Sequence, residues 1–296
     1  MKTLEFEDVH YAYQEGADVL QGVSFSLDEG EVAGLLGKNG AGKTTLMRIA
    51  MGIVGAQKGS ARIFGLDPRK DAVEMKRRVG YVSEDQALPE FLTVGEVIRL
   101  HRRLFPTWDE PLERRLRERF TLSPKVKIKT LSKGQARQVA LLCAVAHRPE
   151  VLLLDEPAGG LDPAVRREFL ETSVRLLNET GTTILFSSHY MTDVERMAGR
   201  IVMIHEGRLL IDNALDDLRE NYSLALIPQE GADRRRLSDL KGCLSVRVQG
   251  GALHAIFSCE PERCRALLAG ELEIHNAFCT PIALEDMFIE LVGGRS

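Results

Sequence analysis

A glycine-rich stretch near the N-terminus contains the residue types that bind phosphate. Residues 37–44 read Gly-Lys-Asn-Gly-Ala-Gly-Lys-Thr, which matches the pattern G-x-x-x-x-G-K-[ST]. Glycines let the main chain come close to phosphate oxygens, so that its N–H groups can donate to them. Lys43 would add a positive charge at the β- and γ-phosphates, and the hydroxyl of Thr44 would bind Mg²⁺. These residues predict a site for a nucleoside triphosphate with magnesium.

Two carboxylates further along the chain provide what such a site still needs. Asp155 and Glu156 follow the apolar run Val151–Leu154, which predicts a buried strand. Because ligands gather at the carboxyl ends of parallel strands, we expect Asp155 to face Mg²⁺, directly or through water. Glu156, one residue further, would be able to orient a water molecule. A simple surface turn is the alternative interpretation, and the glycine-rich loop counts against it.

The elements around these residues must bring a loop and a strand end together. Val32–Leu36 predicts a buried strand immediately before the glycine-rich stretch. A helix is predicted after it, because apolar residues recur at the spacing i, i+3, i+4 and i+7. These residues are Leu46, Ile49, Ala50 and Ile53. The order strand, glycine loop, helix is the context in which backbone N–H groups surround a phosphate.

The pattern of the sequence divides the chain into two regions. Strands alternate with helices over residues 1–217, which is typical of an α/β domain with a largely parallel sheet. A region rich in arginine and leucine interrupts this alternation at about 88–130. The remainder, 218–296, predicts a hairpin around Gln249–Gly251 and an amphipathic helix at Leu284–Leu291. We therefore predict two domains.

The composition is that of a globular protein and excludes several classes of function. Of the 296 residues, 44% are hydrophobic and 28% charged, close to the globular average. The 39 basic and 43 acidic residues give a net charge of −4, which does not favour non-specific binding to nucleic acid. The longest apolar run, Val139–Ala146, is far shorter than the ~18 residues of a spanning helix. The N-terminal residues are too acidic for a signal peptide, so we expect a cytosolic chain unless a partner holds it elsewhere.

The cysteines indicate a reducing environment. There are five, an odd number without a CxxC pair, which is typical of reduced thiols that pack inside the protein. A metal site built from Cys243, Cys259, Cys264 and His254 is an alternative. Its spacing matches no common zinc pattern.

Four further stretches resemble motifs of one protein family. Leu131–Gln135 reads Leu-Ser-Lys-Gly-Gln and resembles LSGGQ, the signature motif of the ATP-binding cassette (ABC) ATPases. Glu156–Pro163 resembles the extended second Walker motif running into the D-loop, and Ser187–His189 resembles the switch histidine. Tyr13 lies where the family has an adenine-stacking aromatic residue. The motifs follow the family's order over residues 1–217, and the chain is identified as a member. A GTPase is less favoured because no NKxD-type guanine motif is found.

The resemblance implies a fold and a bound nucleotide. The implied fold is α/β, a P-loop NTPase (RecA-like) ABC nucleotide-binding domain with an inserted helical subdomain at about 88–140 and a small α+β C-terminal accessory domain. Two such domains close head to tail in the family, with ATP and Mg²⁺ between the P-loop of one and the signature of the other. The residues implied to bind the nucleotide are Tyr13, Gly37, Lys38, Asn39, Gly40, Ala41, Gly42, Lys43, Thr44, Thr45, Ser132, Gly134, Gln135 and Asp162. Edge-strand packing is the alternative for Tyr13, with Tyr11 on the same face.

The resemblance also implies catalytic roles. Glu156 would be the general base or would position the attacking water, and His189 would hold the γ-phosphate. Lys43 would stabilise the charge of the phosphates. Ser132 and Gly134 would contact the γ-phosphate from the other copy, at a helix N-terminus whose dipole favours an anion. Asp162 would help the two ATP sites to communicate.

Two positions depart from the family pattern. Lys133 replaces the first glycine of the signature pair, whereas the second glycine is kept. After the predicted strand Val79–Val82 the family usually has glutamine in its Q-loop; here Glu84 occupies that place and Gln86 comes two residues later. We expect Glu84 to contact Mg²⁺ or its water and to contribute to catalysis. The residues implied to bind the metal are Thr44, Asp155 and Glu84.

Two short segments resemble one branch of the family. Pro106–Glu110 and Leu284–Leu291 are similar to bacterial ABC-2-type exporter ATPases. That branch implies an ATP-hydrolysing subunit that powers export by ATP-driven dimer closure. The implied partners are separate transmembrane permease subunits and a second ABC ATPase copy, identical or different, at the cytoplasmic face of the cell membrane. No nucleic acid partner is expected.

Other interpretations of this region and of the function stay open. Residues 87–94 resemble the segment that receives a coupling helix of the membrane subunit, with Phe91 and Leu92 as candidate contacts and core packing as the alternative. The basic segment Arg99–Lys129 is either a solvated helical face or a surface near anionic lipid. The alternative functions are a soluble ABC ATPase acting on ribosomes or DNA, and a protein that binds ATP without hydrolysing it.

Overall fold

The chain forms two compact units, Met1–Asp212 and Asn213–Ser296. The computed structural model describes residues 2–14, 16–85, 88–178, 181–229 and 233–293. The domain division predicted after residue 217 lies inside a short helix, Leu215–Glu220.

The first unit is an α/β unit with two sheets. Its strands are β1 (Lys2–Ala12), β2 (Asp18–Asp28), β3 (Val32–Leu36), β4 (Lys58–Ile63), β5 (Val79–Val82), β6 (Val151–Leu154), β7 (Thr183–Ser188), β8 (Arg200–His205) and β9 (Arg208–Ala214). Its helices are α1 (Lys43–Ala50), α2 (Ala72–Arg77), α3 (Val94–Leu104), α4 (Glu110–Arg119), α5 (Lys133–Val145), α6 (Pro163–Asn178) and α7 (Met191–Met197), with a 3₁₀ turn at Ile128–Thr130.

The larger sheet places the candidate residues at one edge. Its strand order is β5-β6-β7-β3-β8-β9, and the strands from β5 to β8 run parallel. The carboxyl ends of β3, β5, β6 and β7 therefore lie along the same edge. Every residue of β6 and β7 is buried, as expected for strands covered on both faces. A smaller antiparallel sheet has the order β2-β1-β4.

The helix after the glycine-rich loop is shorter than its apolar spacing predicts. Leu46, Ile49 and Ala50 are buried, but α1 ends at Ala50 and Ile53 is 57% exposed. The reason is Gly52, which has a φ of 66°. Its N–H donates to the Ile49 carbonyl, and the Ile53 N–H donates to the Arg48 carbonyl, which is the Schellman arrangement that stops a helix. The prediction that Ile53 belongs to this helix is wrong.

The arginine-rich segment between β5 and β6 is helical. Helices α3, α4 and α5 lie there, and a capping box between Thr93 and Glu96 starts α3. Arg102 and Trp108 both bond to the buried carboxylate of Glu113, with Trp108 Nε1 at 3.0 Å. At least one arginine of this segment is therefore paired with a buried carboxylate and is not part of a free basic face.

The second unit is α+β. Its elements are α8 (Leu215–Glu220), β10 (Ser223–Pro228), α9 (Arg234–Ser238), β11 (Cys243–Gln249), β12 (Ala252–Phe257), α10 (Pro261–Leu272), β13 (Phe278–Pro281) and α11 (Leu284–Gly293). The sheet order is β11-β12-β10-β13, and the predicted hairpin and C-terminal helix are both present as β11–β12 and α11. The five cysteines are free thiols. Among the described residues, no group of three or more His, Cys, Asp or Glu side chains is arranged to hold a metal.

Candidate nucleotide site

The glycine-rich loop joins β3 to α1 in a conformation that requires glycine. Gly42 precedes α1 with a φ of 107°, and Gly40 has a φ of 83°, a region that side chains disfavour. A Cβ atom on Gly37 would lie 2.6 Å from the Ile204 carbonyl oxygen. The backbone can therefore form this loop only with glycine at these places, which keeps its surface free of side chains.

Hydrogen bonds to backbone carbonyls of the loop hold the Lys43 side chain at the centre of the loop. Its Nζ donates to the carbonyls of Gly37 at 2.7 Å and Lys38 at 3.3 Å. The same atom lies 3.3 Å from Glu156 Oε1, and both side chains are almost fully buried. The sequence therefore folds a fixed positive charge into the loop, next to the carboxylate that follows β6.

One hydroxyl connects the ends of β6 and β7. Ser187 Oγ donates to Asp155 Oδ1 at 2.7 Å and accepts from the backbone N–H of Glu156 at 2.8 Å. The other oxygen of Asp155, Oδ2, is buried and has no hydrogen-bond partner among the described residues. Burial raises the pKa of Asp155, while the hydroxyls of Ser187 and Thr44 oppose this effect.

The donor set at this strand end fits magnesium. The unpartnered Oδ2 of Asp155 and the nearby hydroxyl of Thr44 are hard oxygen donors, and Mg²⁺ prefers such oxygens. Proteins usually bind Mg²⁺ through one or two carboxylates together with substrate phosphates. A site with these two protein donors is therefore of the kind that binds Mg²⁺ together with phosphates.

Each carboxylate oxygen of Glu156 contacts a different side chain. Its backbone has a φ of 44°, an uncommon conformation for a residue with a side chain. Its Oε1 faces Lys43, and its Oε2 accepts a hydrogen bond from His189 Nδ1 at 2.8 Å. The structure thus brings together three of the predicted catalytic side chains, from the loop, the end of β6 and the end of β7.

Residues outside the predicted set hold His189. The His189 and Tyr190 rings are in contact, with their planes tilted by 39° and their centroids 3.9 Å apart. The Arg166 guanidinium lies 3.4 Å from the Tyr190 centroid. Arg166 Nε donates to both oxygens of Asp193, at 3.0 and 3.1 Å. The reasoning from motifs missed Arg166, Tyr190 and Asp193. A signal was present, since a cation after the D-loop and an anion after the switch histidine could pair.

A cavity of about 420 Å³ lies over the loop. Its lining residues are Tyr13, Val19, Asn39, Gly40, Ala41, Gly42, Lys43, Thr44, Thr45, Glu84 and Glu156. Tyr13 is 53% exposed, so the alternative of edge packing does not describe its ring. Its hydroxyl lies 3.3 Å from Thr45 Oγ1 and accepts from Arg48 Nη1 at 3.3 Å, and Tyr11 contacts it edge-on. An aromatic face, a cation and an anion therefore share one open cavity.

Glu84 reaches this cavity from the loop after β5. Its carboxylate is exposed and is part of the cavity wall. The backbone carbonyls of Ser83 and Glu84 both accept from Arg137 on α5, another residue that the motifs did not single out. Gln86, the later candidate for this position, lies outside the described residues.

The signature residues are not at this cavity. Ser132 caps α5 and forms a reciprocal capping box with Gln135, which explains the local fold of the motif. A Cβ on Gly134 would lie 2.9 Å from Val165 Cγ1, and Asp162 is exposed just before α6. None of these four residues lines the cavity over the loop. One copy of the chain therefore does not bring the signature to its own phosphate-binding loop.

Comparisons with known proteins agree with this arrangement. The chain matches the protein family described as ABC transporter over residues 20–159. It is 36% identical to the linearmycin resistance ATP-binding protein LnrL of Bacillus subtilis (strain 168), over 73% of this chain and 70% of that protein. It is 33% identical to the Nod factor export ATP-binding protein I of Burkholderia thailandensis, over 98% of this chain and 97% of that protein.

The fold is shared with solved structures. A structure described as the ATP-binding subunit of an ABC transporter matches with a TM-score of 0.66 and 30% identity, covering 73% of this chain and 92% of the other. Within the described residues, no helix has the length and apolar character needed to cross a membrane.

Proposed function

We propose that this chain, which belongs to the family of ABC transporter ATP-binding proteins, drives export of a substrate across a membrane through separate membrane subunits. It is an ABC-type ATP hydrolase with a P-loop NTPase fold. The observation that carries the proposal is the contact of Glu156 with both Lys43 and His189 beside the cavity over the loop. A carboxylate, a fixed cation and an imidazole in contact beside this cavity support a role for all three at the terminal phosphate of ATP.

The cavity residues divide the work of hydrolysis. Tyr13 stacks on the adenine, and the loop N–H groups with Lys43 hold the phosphates. Thr44 and Asp155, with Glu84 nearby, would hold Mg²⁺, which would supply positive charge at the phosphates. Glu156 orients the attacking water or takes its proton. His189 donates to the γ-phosphate, and the Asp193–Arg166–Tyr190 contacts keep its ring in place.

Lys43 and His189 have two possible anionic partners in this mechanism. In the structure both contact Glu156. Phosphate oxygens would compete with this carboxylate for Lys43, which lines the cavity over the loop, and for His189, which lines the neighbouring cavity. Binding of ATP therefore frees Glu156 to act on water. The contacts with Lys43 and His189 also offset part of the cost of burying the Glu156 carboxylate.

The second half of the site comes from another copy of the chain or from a related ATPase chain. Ser132, Gly134 and Asp162 do not line the cavity of their own copy, so a head-to-tail pair is needed for them to reach ATP. The N-terminus of α5, capped by Ser132, would then point its partial positive charge at the γ-phosphate. We expect Mg-ATP to convert monomers into dimers where hydrolysis is blocked. Light scattering of Glu156→Gln with and without Mg-ATP measures this, and an unchanged mass contradicts the pairing.

An exposed apolar surface supports a membrane partner. Phe91 is 77% exposed, so core packing does not describe it, and Leu100 and Leu104 of α3 are also exposed. A helix of a membrane subunit could bury these side chains in a helix-in-groove contact, which would hold the chain at the cytoplasmic face. The names of the relatives, Nod factor export and linearmycin resistance, favour export.

Copurification tests the proposed function. We expect the tagged chain to retain polytopic membrane subunits from its own cells, and Phe91→Glu to lose them while keeping its ATP hydrolysis. Val248→Glu is the matched control, because Val248 is 52% exposed in the second unit. Copurification with ribosomes or DNA instead, or equal loss in both variants, would contradict the proposal.

A further inference from the structure

A buried arginine connects the loop after β5 to the helix that begins at the signature. Arg137 lies on α5, and only 4% of it is exposed. Its Nη1 donates to the Ser83 carbonyl at 2.9 Å, and its Nη2 donates to the Glu84 carbonyl. The guanidinium is planar and rigid, and two of its N–H groups donate to the carbonyls of consecutive residues. This pair of hydrogen bonds fixes the orientation of the backbone at residues 83 and 84. The backbone from which the Glu84 side chain departs is therefore set by α5.

The other end of α5 is also fixed against β5. A Cβ on Gly80 of β5 would lie 2.3 Å from the Ala144 carbonyl oxygen, so helix and strand are in close contact there. Because α5 cannot move freely along β5, the arginine near its N-terminus gives the loop a firm attachment. A shift of the loop would have to move the start of α5 as well, where Ser132 lies.

Burial of this charge has no explanation in packing alone. A buried cation is costly unless it is paired or hydrogen-bonded, and burial lowers the pKa of Arg137. The carboxylates of Glu84, Asp85, Asp155 and Glu156 act in the opposite direction and favour its charged form. The guanidinium thus lies near the acidic groups of the candidate site.

Glu84 lies between two cavities. It lines the cavity over the phosphate-binding loop and also a neighbouring cavity of about 330 Å³. The residues that line the second cavity are Glu84, Asp85, Lys133, Ala136, Arg137, Gly159, Gly160, His189 and Tyr190. Glu84 therefore has the phosphate-binding loop on one side and Lys133 and His189 on the other. The position of the Glu84 carboxylate therefore depends on the contacts that hold the backbone at residue 84.

We propose that Arg137 is the positioning residue for Glu84. It holds the carbonyls of residues 83 and 84 so that the Glu84 carboxylate faces the phosphate-binding loop, and it ties that placement to the start of α5. This inference rests on the proposed role of Glu84 near Mg²⁺. Arg137 acts through Glu84 and does not touch the nucleotide.

A double-mutant cycle tests the inference. The variants are Arg137→Lys, Glu84→Ala and the combination, because lysine keeps the charge but cannot donate to both carbonyls in a fork. For each, ATP affinity is measured with and without Mg²⁺ by titration, and kcat and KM are measured for Mg-ATP. Thermal unfolding checks that the variants fold. Arg200→Lys is the control, because Arg200 makes ion pairs with Asp212 and Glu31 away from the cavity.

The expected result is coupling between the two positions. Arg137→Lys should lower kcat and the gain in ATP affinity from Mg²⁺ by about ten-fold, but by less than about two-fold in the Glu84→Ala background. Arg200→Lys should affect unfolding and leave both readouts unchanged. Equal effects of Arg137→Lys in both backgrounds would overturn the inference, as would a Glu84→Ala variant identical to the parent. A parent chain that fails to hydrolyse Mg-ATP would instead overturn the proposed function.

Discussion

Replacing Ser187 with alanine tests whether one hydroxyl organises the acidic end of β6. Ser187 is fully buried, donates to Asp155 at 2.7 Å and accepts from the Glu156 N–H at 2.8 Å. The change removes one oxygen atom and leaves a carboxylate oxygen and a backbone N–H without their partner. Buried polar groups that lose a partner are costly.

The magnitude follows from the two bonds. A hydrogen bond to a charged group contributes ~1.5–3 kcal/mol and one between neutral groups ~0.5–1.5 kcal/mol. We therefore expect Ser187→Ala to lower the free energy of unfolding by about 2–4 kcal/mol. Ser173→Ala is the matched control, because Ser173 is equally buried and donates to the Phe169 carbonyl, at 2.8 Å. Its loss should be about 1 kcal/mol.

Urea unfolding followed by tryptophan fluorescence measures both variants. The single tryptophan, Trp108, belongs to the first unit and so reports on the unit that contains Ser187. If Ser187→Ala and Ser173→Ala destabilise the unit equally, the reasoning from the Asp155 and Glu156 contacts is refuted.

The effect of Ser187→Ala should also depend on pH. Burial raises the pKa of Asp155 in the folded chain above its ordinary value, so the stability linked to this group is present at low pH and is lost as pH rises through the folded pKa. The Ser187 hydroxyl opposes that shift, and its removal should raise the pKa further. The difference in unfolding free energy between Ser187→Ala and the parent should be larger at pH 7 than at pH 5.

Three other substitutions give distinct results. Lys43→Ala should weaken Mg-ATP binding roughly ten- to a hundred-fold, because a charge-assisted contact is lost; unchanged affinity in an equilibrium titration would contradict the loop assignment. Tyr13→Ala should cost ~1 kcal/mol of stacking, equally for ATP and GTP, and a titration without any change would remove its role. Asp155→Asn should weaken Mg-ATP binding and turnover together. It should also stabilise the chain at neutral pH, because the substitution replaces a buried negative charge, whose burial raises the pKa of Asp155, with a neutral amide. Thermal unfolding that shows a loss of stability would contradict this.

The parts of the site that follow from local sequence were predictable. Two features are each encoded within a few residues: a motif and the apolar run beside it. They are found at the glycines 37, 40 and 42 and at the strand end before Asp155. The edge where they meet then follows from the rule that ligands gather at carboxyl ends of parallel strands.

The parts that depend on distant contacts were not predictable. Arg137 bonds to a carbonyl 54 positions away, and Arg166 pairs with a carboxylate 27 positions away. Nothing in the local pattern marks Arg137, and Arg166 is marked only by the opposite charges that follow two separate motifs. The end of α1 was also mispredicted, because the apolar period continues to Ile53 while the left-handed backbone of Gly52 stops the helix. Periodicity shows which face is apolar but does not show where the backbone changes hand.

The turnover of Glu156→Gln is the most direct test of whether Glu156 acts on the attacking water. Glutamine keeps the size of the side chain and a hydrogen-bonding group but cannot take a proton from water. The account predicts that kcat for Mg-ATP falls by about 10²–10⁴-fold, the usual contribution of a general base, while the binding free energy of Mg-ATP changes by less than about 1 kcal/mol. Near-normal hydrolysis by Glu156→Gln would contradict the account and would make Glu84 the next candidate for positioning the water.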